Sequence, residues 1–439
     1  MTVAALPPGP RAPGLLQAVS WGLRYPQFTS AAHRRHGTTF TVRPGTMGPV
    51  VVTTDDEAIR LLLTGDPLRR GHGNDAVRPL IGDRAVLLLE PAEHLERRRL
   101  LLPAFHGERV QAYARLMQQL MDAEVGRWSP GVRVAVLPAA QNVTIEVILQ
   151  AVLGVADEPL RRRFRQLIDK LLFYPFGSSG PPPLGAAVFT PAVATYFPGL
   201  KRRSWKNPMT LGWWRHRDRL VALLDEHIKA TRADPRLGER EDVLAMLVQA
   251  LPDEDLPDEL ITLIGAGHET TAAGIAWGAV LLAHHPHVRT RAEAAARDGD
   301  EEYLDALVKE VLRVRPPLPV AAGRRLDEPA RIAGHVVPAG TPILIDAWGI
   351  HHDPARHADP EAFRPERFLG DAAEAYAWLP FGGGAHRCIG AGLAELEMKI
   401  GLATLLRRVA LRPAGPRLPR AMRRGVVIVP EGGGPVQTA

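Results

Sequence analysis

Phe381-Gly382-Gly383-Gly384-Ala385-His386-Arg387-Cys388-Ile389-Gly390 carries the only cysteine of the 439-residue chain, at the end of a glycine-rich turn. Directly after it, Leu393-Ala394-Glu395-Leu396-Glu397-Met398-Lys399-Ile400 reads as a helix. Successive glycines let a backbone pass very close to a flat ligand. A helix that starts just beyond surrounds the sulfur with free N–H groups and partial positive charge. Such donors favour a thiolate. A thiolate set where a large planar group can lie against bare backbone is what an axial iron ligand requires.

Working outward, the composition is 46% hydrophobic and 23% charged, which suits a folded chain and excludes collagen, coiled-coil and disulfide-stapled classes. One thiol rules out an intramolecular disulfide and a zinc site built on several cysteines, and fits a reducing cytoplasm. The net charge of +6 is a modest field over this length, and the basic residues are almost all Arg. The short runs Arg97 to Arg99 and Arg161 to Arg163 lack interleaved aromatics, so nucleic-acid binding is excluded in favour of an acidic protein partner.

The start, Leu6-Pro7-Pro8-Gly9-Pro10, cannot continue a helix and shows no signal peptide or anchor. Residues 1–30 read as a Pro-rich lead. Leu171 to Leu200 lack charge but hold six prolines, which rules against a membrane span; 171–215 reads as a lid over the site. Thr38 to Arg43 and Pro49 to Thr53 predict a hairpin, followed by a helix starting at Asp55-Asp56-Glu57. Short strands are predicted over 330–337, 341–345 and 425–429, long amphipathic helices over about 85 to 310, and a flexible tail over 431–439. With no repeat and no linker, 1–439 reads as one domain, mainly α with a minor β region.

Three further constellations stand out. Ile261 to Trp277 predicts a helix apolar nearly all round, hence buried, yet interrupted by Gly265, Gly267, Glu269, Thr270 and Thr271. A carboxylate there must be hydrogen-bonded or move protons. Glu310 and Arg313 stand one helical turn apart before Arg315-Pro316-Pro317 stops their helix, and Phe363-Arg364-Pro365-Glu366-Arg367-Phe368 follows. His94 and Arg98 share one face of another helix.

The cysteine loop resembles the signature of the cytochrome P450 superfamily, the haem-thiolate monooxygenases, and the other segments follow in that family's order. The resemblance implies the family's triangular, helix-rich fold and haem b (iron protoporphyrin IX), with Cys388 as the iron's axial ligand. Phe381, Gly382 and Gly390 belong to that loop motif. Ala266-Gly267-His268-Glu269-Thr270-Thr271 resembles the oxygen-activation motif: Thr270 hydrogen-bonds dioxygen, Glu269 feeds a proton relay, and Ala266 and Gly267 leave room over the iron. His94, Arg98, His386 and Arg324, with Arg325 the alternative, are implied as partners of the propionates. Glu310, Arg313 and Arg367 are implied as a structural network that holds the cysteine loop.

The implied activity is insertion of one atom of O2 into a C–H bond or alkene of a lipophilic small molecule, such as a terpenoid, steroid, fatty-acyl or other natural product. A haem-thiolate peroxygenase, isomerase or dehydratase is the alternative. No flavin or iron–sulfur domain is apparent, so electrons, ultimately from NAD(P)H, must come from a ferredoxin or flavodoxin and its reductase. That partner is expected to dock near Cys388, with Arg97 and Arg99 contributing, on a monomeric protein. Leu87 to Leu89, Ala266, Thr270 and Val320 to Ala322 are expected to line the substrate pocket, under a lid of Phe173 to Leu200.

Overall fold

A computed structural model describes every residue except 1–5, 46–47, 65–69, 73, 75–76, 106, 173–207 and 371–375. The expected lid therefore lies largely outside the described residues. Its ends are seen in α7 (Glu158–Leu172) and α8 (Pro208–Arg232).

Within the lead, α1 (Gly14–Leu23) and α2 (Tyr25–His36) precede the predicted hairpin, whose strands β1 (Thr39–Val42) and β2 (Val50–Thr53) pair with Thr39 opposite Thr53. Asp55 then caps α3 (Asp56–Thr64), its Oδ1 accepting the Ala58 N–H at 2.9 Å. The sheet continues through β8 (Pro342–Asp346), β5 (Val320–Leu326) and β3 (Arg70–His72), in the order β1-β2-β8-β5-β3; only β2 and β8 run parallel. Alternation along β5 turns Arg324 inward and leaves Arg325 exposed, which favours Arg324 as the inward-facing cation.

The larger core is helical. Around the 29-residue α10 (Leu256–His284) pack α6 (Val136–Val147), α8, α9 (Val243–Ala250), α11 (Pro286–Asp298), α12 (Glu301–Val314) and α13 (Ala391–Arg408), while α5 (Glu108–Val125) lies against α6 and α13, and α4 (Pro91–Leu101) against α9. Pro257 at the start of α10, with Asp258 and Glu259 in its first turn, suits a helix N-terminus, and fully buried Trp277 donates Nε1–H to the Ile428 carbonyl at 3.0 Å. Glycines set the spacing between α10 and α13. A Cβ on Gly274 would lie 2.5 Å from Met398 Sδ, and one on Gly401 2.9 Å from Ile275 Cδ1. Side chains of each helix therefore seat directly on the backbone of the other, which fixes the cysteine loop relative to α10.

The tail expected to be flexible is instead structured. Pro435–Thr438 forms β12, paired with β4 (Arg133–Ala135) and β9 (Leu411–Pro413), and Val436 is buried. Gly434, in the left-handed region at φ 71°, turns the chain into this strand, so the glycine cluster marks a turn into a sheet.

Candidate active site

The cysteine loop is clamped at both ends. Cys388 N–H donates to the Phe381 carbonyl at 2.9 Å, and the Phe381 ring meets Trp378 edge-on. Sequence reasoning assigned the glycines to a flat ligand; the structure gives them protein neighbours. Gly384 has φ 62° and a Cβ there would lie 1.8 Å from the Leu63 carbonyl oxygen, while one on Gly382 would lie 2.6 Å from that of Ala321. Gly390 differs: nothing of the chain lies within 4 Å of its Cβ position.

Cys388 is exposed on one side and crowded by protein elsewhere. Burial pushes its thiol up, and this outweighs the Gly390 N–H on the sulfur and the guanidiniums of Arg98 and Arg387, which pull it down. The expected donors are present, yet they do not ionise the thiol unaided. A cation bound to the sulfur would supply the missing charge.

Along α10 the residues after Thr271 are buried almost without break, but Ala266 is exposed and Leu263, Gly265, Gly267 and Thr270 are half-buried. This is a local opening in an otherwise sealed helix. The Thr270 hydroxyl donates to the Ala266 carbonyl at 2.6 Å. Next to the opening, α6 passes into a π-helical turn, Ile148–Val152, and Ile148 Cδ1 lies 3.3 Å from the Cβ position of Gly267. Glu269 points elsewhere: it is buried and accepts Arg424 Nε–H at 2.5 Å, from β10 (Ala421–Arg424). Burial raises its pKa and Arg424 opposes the rise. The relay role read from the motif thus meets a carboxylate already paired.

The expected cations converge. The rings of His94 and His386 stack with centroids 3.9 Å apart, joining α4 to the cysteine loop. His94 is buried, its Nδ1 has no hydrogen-bond partner, and burial followed by the charges of Arg98 and Arg324 pushes it down to about 4. Both charged neighbours acting on this ring are cations, the environment an anion would occupy. By contrast, Arg97 is turned inward to Asp255 and to Glu259, the latter at 3.2 Å, so it is withdrawn from any docking surface; Arg99 stays exposed. Two expected pocket residues also turn away: Leu88 packs with Ile81 and Ala85, and Val320 against the cluster of Trp21 and Phe40.

The structural network closes as expected. Arg313 and Glu310, both fully buried, form a two-pronged pair at 2.7 and 2.9 Å, and Arg367 Nε–H reaches Glu310 at 3.1 Å. Arg313 also donates to the carbonyls of His351, Pro360 and Ala362. Trp378 Nε1–H on the Lys309 carbonyl and the Leu379 N–H on His351 Nε2 tie the approach to the cysteine loop to the same region.

Several partners were not read from sequence. The Thr144 hydroxyl stands 3.0 Å from both the ring Nδ1 and the carbonyl of His268; His268, its pKa pushed down to about 3 by burial, is neutral at working pH. Glu397 of α13, buried and hydrogen-bonded to Thr271, is pushed up to about 8 by burial. Beside Cys388 opens a depression of about 670 Å³, lined in part by Arg98, Phe105, Arg387 and Glu395. Among the described residues no helix is long and apolar enough to cross a membrane, and no cluster of His, Cys, Asp and Glu could hold a bare metal ion.

The family model described as Cytochrome P450 matches residues 7–435. The chain is 35% identical to cytochrome P450 135B1 of Mycobacterium tuberculosis, an alignment covering 98% of this chain and 90% of that protein. It is 33% identical to cytochrome P450 138 of the same organism, over 99% and 96%. The solved structure of retinoic acid-bound cyanobacterial CYP120A1 superposes with a TM-score of 0.81 at 24% identity, covering 99% of this chain and all of that one, which shows the shared fold. A helix opened at one place, a lone cysteine in a clamped loop and converging cations are thus set in a recognised framework, and the chain belongs to the cytochrome P450 family, the haem-thiolate monooxygenases.

Proposed function

We propose that this monooxygenase oxidises a lipophilic small molecule over haem b held by Cys388, and that it draws electrons, ultimately from NAD(P)H, from a separate ferredoxin or flavodoxin and its reductase. The residues fit the group. Cys388 offers an open sulfur, Gly390 faces open space, and the partnerless Nδ1 of His94 lies among Arg98 and Arg324, with His386 stacked beside it, where propionates need donors. Bound haem supplies the iron chemistry that activates O2 for insertion into a C–H bond or alkene.

The observation that carries the reading is the opening of α10 at Ala266, Gly267 and Thr270. Ala266 leaves volume there for O2 and substrate, whereas the room that Gly267 makes is taken by Ile148. The Thr270 hydroxyl, now spent on the Ala266 carbonyl, can turn to hold a proton at the reacting oxygen. Glu269 can pass protons only after leaving Arg424, so the pair acts as a gate. The reductant's acidic surface docks at the depression beside Cys388, where Arg98 and Arg387 outnumber Glu395 among the charged lining residues. A single thiol suits the cytoplasm, and we read the protein as a monomer.

Substrate-dependent O2 uptake with a ferredoxin pair tests this. In Thr270→Ala, reductant should still be consumed while hydrogen peroxide replaces product. Turnover driven by peroxide alone and unchanged in Thr270→Ala would assign the chain to the peroxygenase, isomerase or dehydratase alternative instead.

A further inference from the structure

The first acidic residue of the chain is Asp55; before it stand Arg11, Arg24, Arg34, Arg35 and Arg43 and no lysine. All five arginines are exposed, and none joins an ion pair among the described residues. In the middle of this segment lies α1. Its Leu15, Leu16 and Val19 are 61%, 57% and 47% exposed, at i, i+1 and i+4 on one face. On the opposite face Gln17 and Trp21 are buried.

This exposure does not come from a frayed end. Gln17 Nε2–H donates to the carbonyls of Pro10 and Ala12 at 3.1 and 2.7 Å, its Oε1 accepts the Arg43 N–H at 2.8 Å, and Arg423 Nη1–H donates to the Trp21 carbonyl at 3.0 Å. The helix is bolted down with its leucines outward. Arg11 precedes it, Arg24 follows its last residue, and the Arg43 backbone is held by Gln17, so exposed arginines stand at both ends of the apolar strip and on the segment packed under it.

We propose that α1 docks the protein peripherally on an anionic lipid bilayer, with Leu15, Leu16 and Val19 at the boundary between headgroups and acyl chains and Arg11, Arg24 and Arg43 on the headgroups. An apolar strip flanked by cations is the pattern of an interfacial helix, whose arginine stems lie along the apolar zone while the charges reach the phosphates. A second copy fits worse, because a two-fold contact through this face sets the arginines of one protomer against those of the other. The buried side of the helix is tied to the core through β10: Arg423 holds the Trp21 carbonyl of α1, and the next residue, Arg424, holds Glu269 of α10. The docking stands apart from which molecule is oxidised.

Flotation of the purified holoenzyme with phosphatidylcholine vesicles, with and without phosphatidylglycerol, is the test. Binding should require phosphatidylglycerol, weaken about tenfold or more in high salt, and be lost in the double variant Leu16→Glu, Val19→Glu, whose exposed positions leave the haem spectrum unchanged. Arg11→Glu with Arg43→Glu should weaken it too. The proposal is overturned by failure to float with either vesicle, by binding that the leucine–valine variant retains, or by a dimer that this variant splits into monomers.

Discussion

Glu397 keeps its proton at neutral pH in the folded protein, and replacing it with glutamine should therefore stabilise the fold. The carboxyl is 5% exposed on α13, against α10; burial pushes it from 4.5 to about 8, with only the Thr271 hydrogen bond opposing. Because the folded state binds the proton more tightly than the unfolded one, stability is unaffected below the unfolded pKa. It then falls as pH rises and levels off above the folded pKa, where the penalty is complete. At ~1.4 kcal/mol per pH unit, the penalty at pH 7 is about 3 kcal/mol, an upper bound because the site can relax or admit water. Glutamine keeps an acceptor for Thr271 and removes the penalty. With an unfolding entropy of ~2.1 cal/mol/K per residue, about 3 kcal/mol corresponds to a melting-point gain of roughly 3 °C. Thermal scans of Glu397→Gln and wild type at matched rates should show little difference near pH 5 and a gain that grows up to pH 8. A gain independent of pH, or a loss throughout, would show that Glu397 is ionised in the folded chain.

Gly384→Ala should abolish haem incorporation while leaving far-ultraviolet dichroism helical, since the added methyl meets the Leu63 carbonyl at 1.8 Å in a loop already at φ 62°; a normal haem spectrum would refute the packing argument. Arg313→Met should destabilise the protein by about 3–5 kcal/mol, because it breaks a fully buried pair and strips donors from three carbonyls; a denaturant midpoint near that of wild type would contradict this. Arg424→Gln removes the cation that holds the buried Glu269 carboxyl down, so its pKa should rise further. The alkaline side of any Glu269-dependent step in coupled turnover should then move to higher pH, and an unmoved pH profile would mean that the pair does not gate protons.

The parts of this site that the sequence made legible are those that depend on short spacing. The Cys388 loop, Glu310 with Arg313, and His94 with Arg98 each lie within one turn or one helical face, so their neighbours travel with them. Arg424 lies 155 residues from Glu269, and no local pattern announces that a strand near the C-terminus will reach the opening in α10. Arg324 could be separated from Arg325 only after the register of β5 against β8 was known, with Arg324 opposite Ile343. The glycines at 432–434 read as loose chain because composition shows conformational freedom and not the partner strands that use it. Arg97 read as surface charge because Asp255 and Glu259, which bury it, belong to another helix and its approach.

The most direct test is the spectrum of the reduced protein under carbon monoxide. If Cys388 ligates haem iron, wild type gives the strongly red-shifted Soret band of a thiolate-bound complex, and Cys388→Ser loses the shift. An unshifted band in wild type, or a shifted band that survives in Cys388→Ser, would contradict the account at its centre.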